Sequence, residues 1–173
     1  HIVNPTKSNT LSNVDITEET IKFANDTSKI SYLQSVRFLI ADSKFNNSEK
    51  VVAIDADTIC TRSYSQEEIE FLFSKQHILQ SYKDKRWLAG LIAFSDNGFK
   101  QDYINEIKSK NIEEWEWGRD QNILTEFSEE YNFVPVPRYW MCIGKNKSNS
   151  IFLTLKGAQK IKAKYLGRWE EYI

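Results

Sequence analysis

An α/β domain, with a mostly parallel sheet flanked by helices, is the fold class this sequence predicts. Three observations carry it. Val51-Val52-Ala53-Ile54 is a continuous apolar run that ends abruptly in two carboxylates, Asp55 and Asp57. Trp87 to Phe94 is a second, longer apolar run. Segments with helical spacing alternate with these runs. Continuous apolar runs suit strands buried on both faces, as in parallel sheets. Alternation of strands and helices points to a layered α/β arrangement.

The elements follow in order. Asn4 to Asp15 is polar and reads as a loop. From Ile16 to Thr27 two readings stay open: a short helix opening at Thr17-Glu18-Glu19, or a short strand at Ile21 to Ala24. Ser31 to Lys44 places Tyr32, Leu33, Val36, Leu39 and Ile40 on one helical face, with Ser31 in the N-cap position. Asn46-Asn47-Ser48 breaks the chain before the Val51–Ile54 strand. Thr61 to Ser65 reads as a loop, Gln66 to Phe73 as a helix, and Ile78 to Tyr82 as a short strand. After the Trp87–Phe94 strand, Asp96 opens a helix carrying Phe99, Tyr103, Ile104 and Ile107. Trp115 to Gly118 is a turn, and Asp120 stands as the cap of a helix carrying Ile123, Leu124 and Phe127. Phe133 to Val136 and Ser150 to Leu153 read as strands, and a basic helix runs from about Lys156 to Tyr165.

Composition narrows the function classes. A chain of 173 residues fits one domain, residues 1–173, and a hydrophobic content of 40% is enough for a core. The net charge of -1 supplies no basic field to recruit nucleic acid. Cys60 and Cys142 are far apart, so neither a disulfide framework nor a zinc site is expected. His77 has no neighbouring ligand partner in the sequence. No apolar run approaches the roughly 20 residues of a membrane span, and no signal peptide is visible, so a cytoplasmic location is the expectation.

Asp55 and Asp57 carry the chemistry. Residues two apart in a strand share a face, so both carboxylates aim at one point at the strand's end. Two such groups repel unless a cation or a shared proton sits between them. Hard oxygen ligands suit Mg²⁺ or Mn²⁺, which bind phosphate oxygens in turn. Ligands of open α/β sheets bind outside the carboxyl ends of strands. A strand end with solvated aspartates is the plain alternative. Phosphatases of the haloacid dehalogenase type also place DxD after a strand, but on the chain's first strand and with Thr or Val where Ile59 stands here.

An ordered series extends this motif: Tyr32-x-x-Ser35-x-Arg37-Phe38, Asp55-Ala56-Asp57-Thr58-Ile59, Ala89-Gly90-Leu91-Ile92-Ala93-Phe94 and Asp120-Gln121-x-x-Leu124. The series resembles the GT-A nucleotide-sugar glycosyltransferases, most closely glycosyltransferase family eight, over roughly Tyr32 to Lys160. The resemblance implies a Rossmann-like fold and transfer of a sugar from a nucleotide-sugar donor, a UDP-sugar favoured, to a glycan or other hydroxyl acceptor. The family retains the anomeric configuration. By resemblance, Asp55 and Asp57 would hold Mn²⁺ or Mg²⁺ on the donor diphosphate, with Ala56 between them in the donor site. Arg37 would reach the donor from its helix, the other reading being an Arg paired with Asp42 or a neighbour. Ala89 and Gly90 would let the backbone approach the donor sugar. Asp120 and Gln121 would lie beside the anomeric carbon. Trp115 and Trp117 are conceivable acceptor platforms, or aromatic packing.

Departures from the family pattern are specific. Leu88 stands where the family has Asn before Ala-Gly. The stretch Thr154-Leu155-Lys156-Gly157-Ala158-Gln159-Lys160 matches a His-x-x-Gly-x-x-Lys pattern except that Thr154 replaces the metal-binding His. Lys156 and Lys160 would neutralise diphosphate charge as point cations. The family's base-binding first strand would lie upstream of His1, so the domain reads as N-terminally incomplete. These departures keep open a second expectation, a GT-A-like binding or assembly domain without catalysis.

Overall fold

The computed structural model describes residues 2–3, 18–19, 25–44, 50–55, 58–111, 114, 116, 118–143 and 149–154. The described elements are β1 (Ile2–Val3), β2 (Glu18–Glu19), α1 (Asp26–Lys44), β3 (Val51–Ile54), β4 (Thr58–Cys60), α2 (Gln66–Leu72), β5 (His77–Gln80), β6 (Trp87–Phe94), α3 (Asn97–Lys108), α4 (Arg119–Phe127), β7 (Val134–Pro135), β8 (Met141–Ile143) and β9 (Phe152–Thr154). They form an α/β fold with two mixed sheets, ordered β3-β6-β5-β7 and β4-β9-β8, and a separate parallel pair, β1-β2.

The expectation of a mostly parallel sheet is corrected. β6 lies between β3 and β5 and is antiparallel to both. Only β7 joins that sheet in parallel, beside β5. In the smaller sheet β4 is antiparallel to β9, and β8 is parallel to it. The reason lies in the connection between β5 and β6. It is a turn closed by Ser81 N–H donating to the Arg86 carbonyl at 2.8 Å, too short for the crossover a parallel pair needs. The apolar runs reported burial on two faces, and an antiparallel sheet can be buried that way too.

One face of the larger sheet packs against the helices. Val51 and Ala53 of β3 and Ile92 and Phe94 of β6 meet Tyr32, Val36 and Phe38 of α1, Phe99, Tyr103, Ile104 and Ile107 of α3, and Ile123 and Leu124 of α4. The Phe38 ring stands edge-on to Tyr103, centroids 5.0 Å apart, a favoured aromatic arrangement. The opposite face carries Leu79, Leu91, Ala93, Val136, Trp140, Met141 and Ile151, with Leu72 of α2. On that side a cavity of about 260 Å³ opens beside Tyr64, Phe73, Trp140 and Phe152.

Local chemistry sets the helix ends. Ser65 caps α2: its hydroxyl accepts from Glu68 N–H at 3.2 Å, and the Glu68 carboxylate accepts from Ser65 N–H at 2.9 Å. Arg62 grips the same carboxylate through both terminal nitrogens, at 2.8 and 3.2 Å. Asp96 caps α3 as expected, accepting from Phe99 N–H at 3.0 Å. Two expected caps are corrected. α1 starts at Asp26, with the Asn25 carbonyl accepting from Lys29 N–H, so Ser31 lies inside the helix and is buried. α4 starts after Gly118, whose φ of 77° is one glycine adopts without a Cβ penalty, and Asp120 is its second residue.

Smaller differences concern the strands. Glu18–Glu19 forms β2, where a helix start was one of the two readings. The strand expected at 78–82 spans His77–Gln80, and those expected at 133–136 and 150–153 span Val134–Pro135 and Phe152–Thr154. β4 and β8 were not expected at all. The expected loop at 4–15, the chain break at 46–48 and the basic helix at 156–165 lie outside the described residues.

Candidate functional site

The site forms where β3 ends beside the middle of β6. Asp55 follows the last residue of β3, and its N–H still donates to the Gly90 carbonyl at 3.2 Å, continuing the ladder. A Cβ placed on Gly90 would stand 3.1 Å from Asp55 Oδ2 and 3.2 Å from the Leu79 side chain. The missing side chain at Gly90 is therefore what lets the Asp55 carboxylate lie against β6.

Arg37 reaches this point from α1. Its Nη1 lies 2.5 Å from Asp55 Oδ1, and its Nη2 donates to the Ala89 carbonyl at 2.7 Å. Nη2 also lies 3.7 Å from Asp120 Oδ2, in the first turn of α4. The pairing of Arg37 is thus with Asp55 and Asp120. A carboxylate at a helix N-terminus is favoured by the exposed N–H groups there, and Asp120 Oδ1 accepts from Gln121 N–H at 2.9 Å. The Asp120 backbone carbonyl accepts from the buried Tyr103 hydroxyl at 3.1 Å.

Burial gives Asp120 its electrostatic character. The residue is 3% exposed. Burial pushes its carboxyl above the usual range; Arg37 and the Gln121 N–H oppose that shift, and Asp55 adds to it. Burial likewise carries the Tyr103 phenol well above its ordinary value, so it stays a hydrogen-bond donor. The sequence reading of Asp120 as a plain cap missed this burial. Gln121 is half-buried and follows it on the same turn.

Arg37, Asp55, Ala89, Gly90 and Asp120, named from the sequence, thus converge from α1, β3, β6 and α4. Ala56, Asp57, Lys156 and Lys160 lie outside the described residues, as do Trp115 and Trp117. Thr154 and Thr58 were not singled out as a pair. They are register partners across β4 and β9, and both hydroxyls are buried with no hydrogen-bond partner. Leu88 is half-buried on β6 and packs toward the face opposite the helices.

Among the described residues no group of three or more His, Cys, Asp or Glu side chains is placed to hold an ion. Asp55 has one oxygen engaged by Arg37 and the other against Gly90. That second oxygen is a hard donor of the type Mg²⁺ and Mn²⁺ accept, and it would hold such an ion only with Asp57, which lies outside the described residues. Cys60 and Cys142 are free thiols, and His77 is buried with Nδ1 2.9 Å from the Leu72 carbonyl. Among the described residues no helix is long and apolar enough to cross a membrane. No protein-family model matches this chain, and no curated protein matches it in sequence.

Proposed function

We propose that this domain is an enzyme that transfers a sugar from a nucleotide-sugar donor, preferably a UDP-sugar, to a glycan or other hydroxyl acceptor, with retention of anomeric configuration. One observation carries the reading. Arg37, Asp55, Ala89-Gly90 and Asp120 meet at the end of a buried strand, although they are dispersed in the sequence.

In this reading Asp55 and Asp57 would hold Mn²⁺ or Mg²⁺, which would supply positive charge against the leaving diphosphate. Lys156 and Lys160 add point cations for the same phosphates. Gly90, whose side-chain space the Asp55 carboxylate fills, fixes where that carboxylate stands toward the donor. Asp120 and Gln121 lie beside the anomeric carbon, where Asp120 stabilises positive charge developing on the sugar. Gln121 is a poor nucleophile, so departure and attack on one face of the sugar suit this site better than a covalent intermediate.

The test is nucleotide release from a panel of sugar nucleotides, with and without Mn²⁺, together with calorimetric binding of the same donors. The reading predicts Mn²⁺-dependent release from at least one UDP-sugar, lost in Asp55→Ala. Binding and release that ignore Asp55→Ala would refute it. A second reading, a domain that binds without catalysing, is favoured by Thr154, whose buried hydroxyl stands where the resembled family has a metal-binding histidine. Donor binding with no nucleotide release under any metal would select it.

A further inference from the structure

Arg37 directs both terminal nitrogens of its guanidinium into the protein. Nη1 pairs with Asp55 Oδ1, and Nη2 binds the Ala89 carbonyl and lies beside Asp120 Oδ2. Nε is buried without a partner, and the guanidinium carbon sits 4.6 Å from the centre of the Phe38 ring. The three acceptors belong to three separate places in the fold: the end of β3, the middle of β6 and the first turn of α4. A guanidinium is a planar fork with fixed angles between its donors, so it sets the spacing of the groups it bridges. A lysine ammonium in the same place is a point charge and sets no such angle.

We infer that Arg37 is a positioning residue: it holds Asp55 and Asp120 at a fixed spacing across β6. Every one of these contacts is internal, so the positioning role stands without a bound donor. Only its consequence for turnover rests on the sugar-transfer reading. Each terminal nitrogen of Arg37 commits one of its two N–H groups to a protein acceptor. Here Nη1 has a carboxylate oxygen at 2.5 Å and Nη2 a carbonyl at 2.7 Å.

The experiment has two arms on the full chain. The first is ligand-free urea unfolding of Asp55→Asn, Asp120→Asn and the double variant, in wild type and in Arg37→Met and Arg37→Lys backgrounds. Groups joined by one network couple measurably in such cycles. The expected result is that Asp55 and Asp120 shift each other's effect on the unfolding constant by threefold or more when Arg37 is present, and by less than that in Arg37→Met. Coupling of equal size in all backgrounds overturns the inference. Should Arg37→Met not fold, Arg37→Lys decides: it keeps the charge but loses the fork, and coupling must still fall.

The second arm is steady-state kinetics with the best UDP-sugar. Positioning predicts that Arg37→Lys lowers kcat by about tenfold or more while KM changes less than threefold. A rise in KM of tenfold or more with kcat retained means direct donor contact and overturns the inference. If wild type shows no donor binding or turnover, the sugar-transfer reading falls and the unfolding cycles alone decide the role of Arg37.

Discussion

Replacing Gly90 by Ala tests the geometry of the site most directly. The added methyl would stand 3.1 Å from Asp55 Oδ2 and 3.2 Å from Leu79 Cδ2, each tighter than ordinary contact. Neither neighbour moves cheaply. Asp55 is held by Arg37 at 2.5 Å, and Leu79 is 2% exposed within a packed cluster. Overpacking of this kind costs about 1–3 kcal/mol. Alanine restores about 0.5–1 kcal/mol by reducing the freedom of the unfolded chain. The net expectation is a loss of about 1 kcal/mol, or about 2–4 °C in Tm for a chain of this size. Urea unfolding and calorimetry measure it. A second step isolates the cause. In Asp55→Ala the oxygen is gone, so the penalty of Gly90→Ala should shrink by about 0.5 kcal/mol or more. A Gly90→Ala protein as stable as wild type, or a penalty unchanged in the Asp55→Ala background, would refute the close approach of Asp55 to β6.

Three further outcomes follow from other contacts. Ser65→Ala removes the cap of α2 and half of its reciprocal pair with Glu68, and should cost about 1 kcal/mol in urea unfolding. Tyr103→Phe removes the buried hydroxyl that donates to the Asp120 carbonyl, and should cost about 1 kcal/mol by the same measurement. The His77 imidazole is pushed below its usual pKa, first by burial, against the opposing pull of the Leu72 carbonyl. Its unfolded form therefore takes up a proton before its folded form does. Stability from this group is complete above about pH 6.5 and falls as pH drops below that value. His77→Gln should flatten the stability profile below about pH 6.5, and imidazole NMR titration of the folded protein should place the midpoint below that value.

What the sequence disclosed was governed by how local each signal is. β3 and β6 were readable because burial on both faces writes an unbroken apolar run. α3 was readable because Asp96 marks its start and its apolar residues recur at helical spacing. Strand direction was not readable from the runs, since it depends on the short turn at 81–86, whose consequence is geometric. The first turn of α1 was missed because Asp26, Thr27 and Lys29 are exposed and add nothing to an apolar stripe. Asp120 looked like a cap because caps and buried first-turn carboxylates use the same residue type. Gly118 took the cap position, which puts Asp120 two places further into the helix. The partners of Arg37 were beyond local reading altogether. Its neighbours in the chain include Asp42, whereas the carboxylates it meets are brought by β3 and α4. The family pattern named Arg37, Asp55 and Asp120 separately, but no spacing rule says that one side chain bridges the other two.

Because the Arg37 contacts draw on stretches widely separated along the polypeptide, this cluster cannot exist in any fragment that lacks α1, β6 or α4. Closing such distances carries an entropic cost that is met only when the intervening chain has collapsed. A substitution under α3 that loosens the packing of Phe38 against Tyr103 would carry through to the cluster, since Phe38 lies against the Arg37 guanidinium and Tyr103 donates to the Asp120 carbonyl.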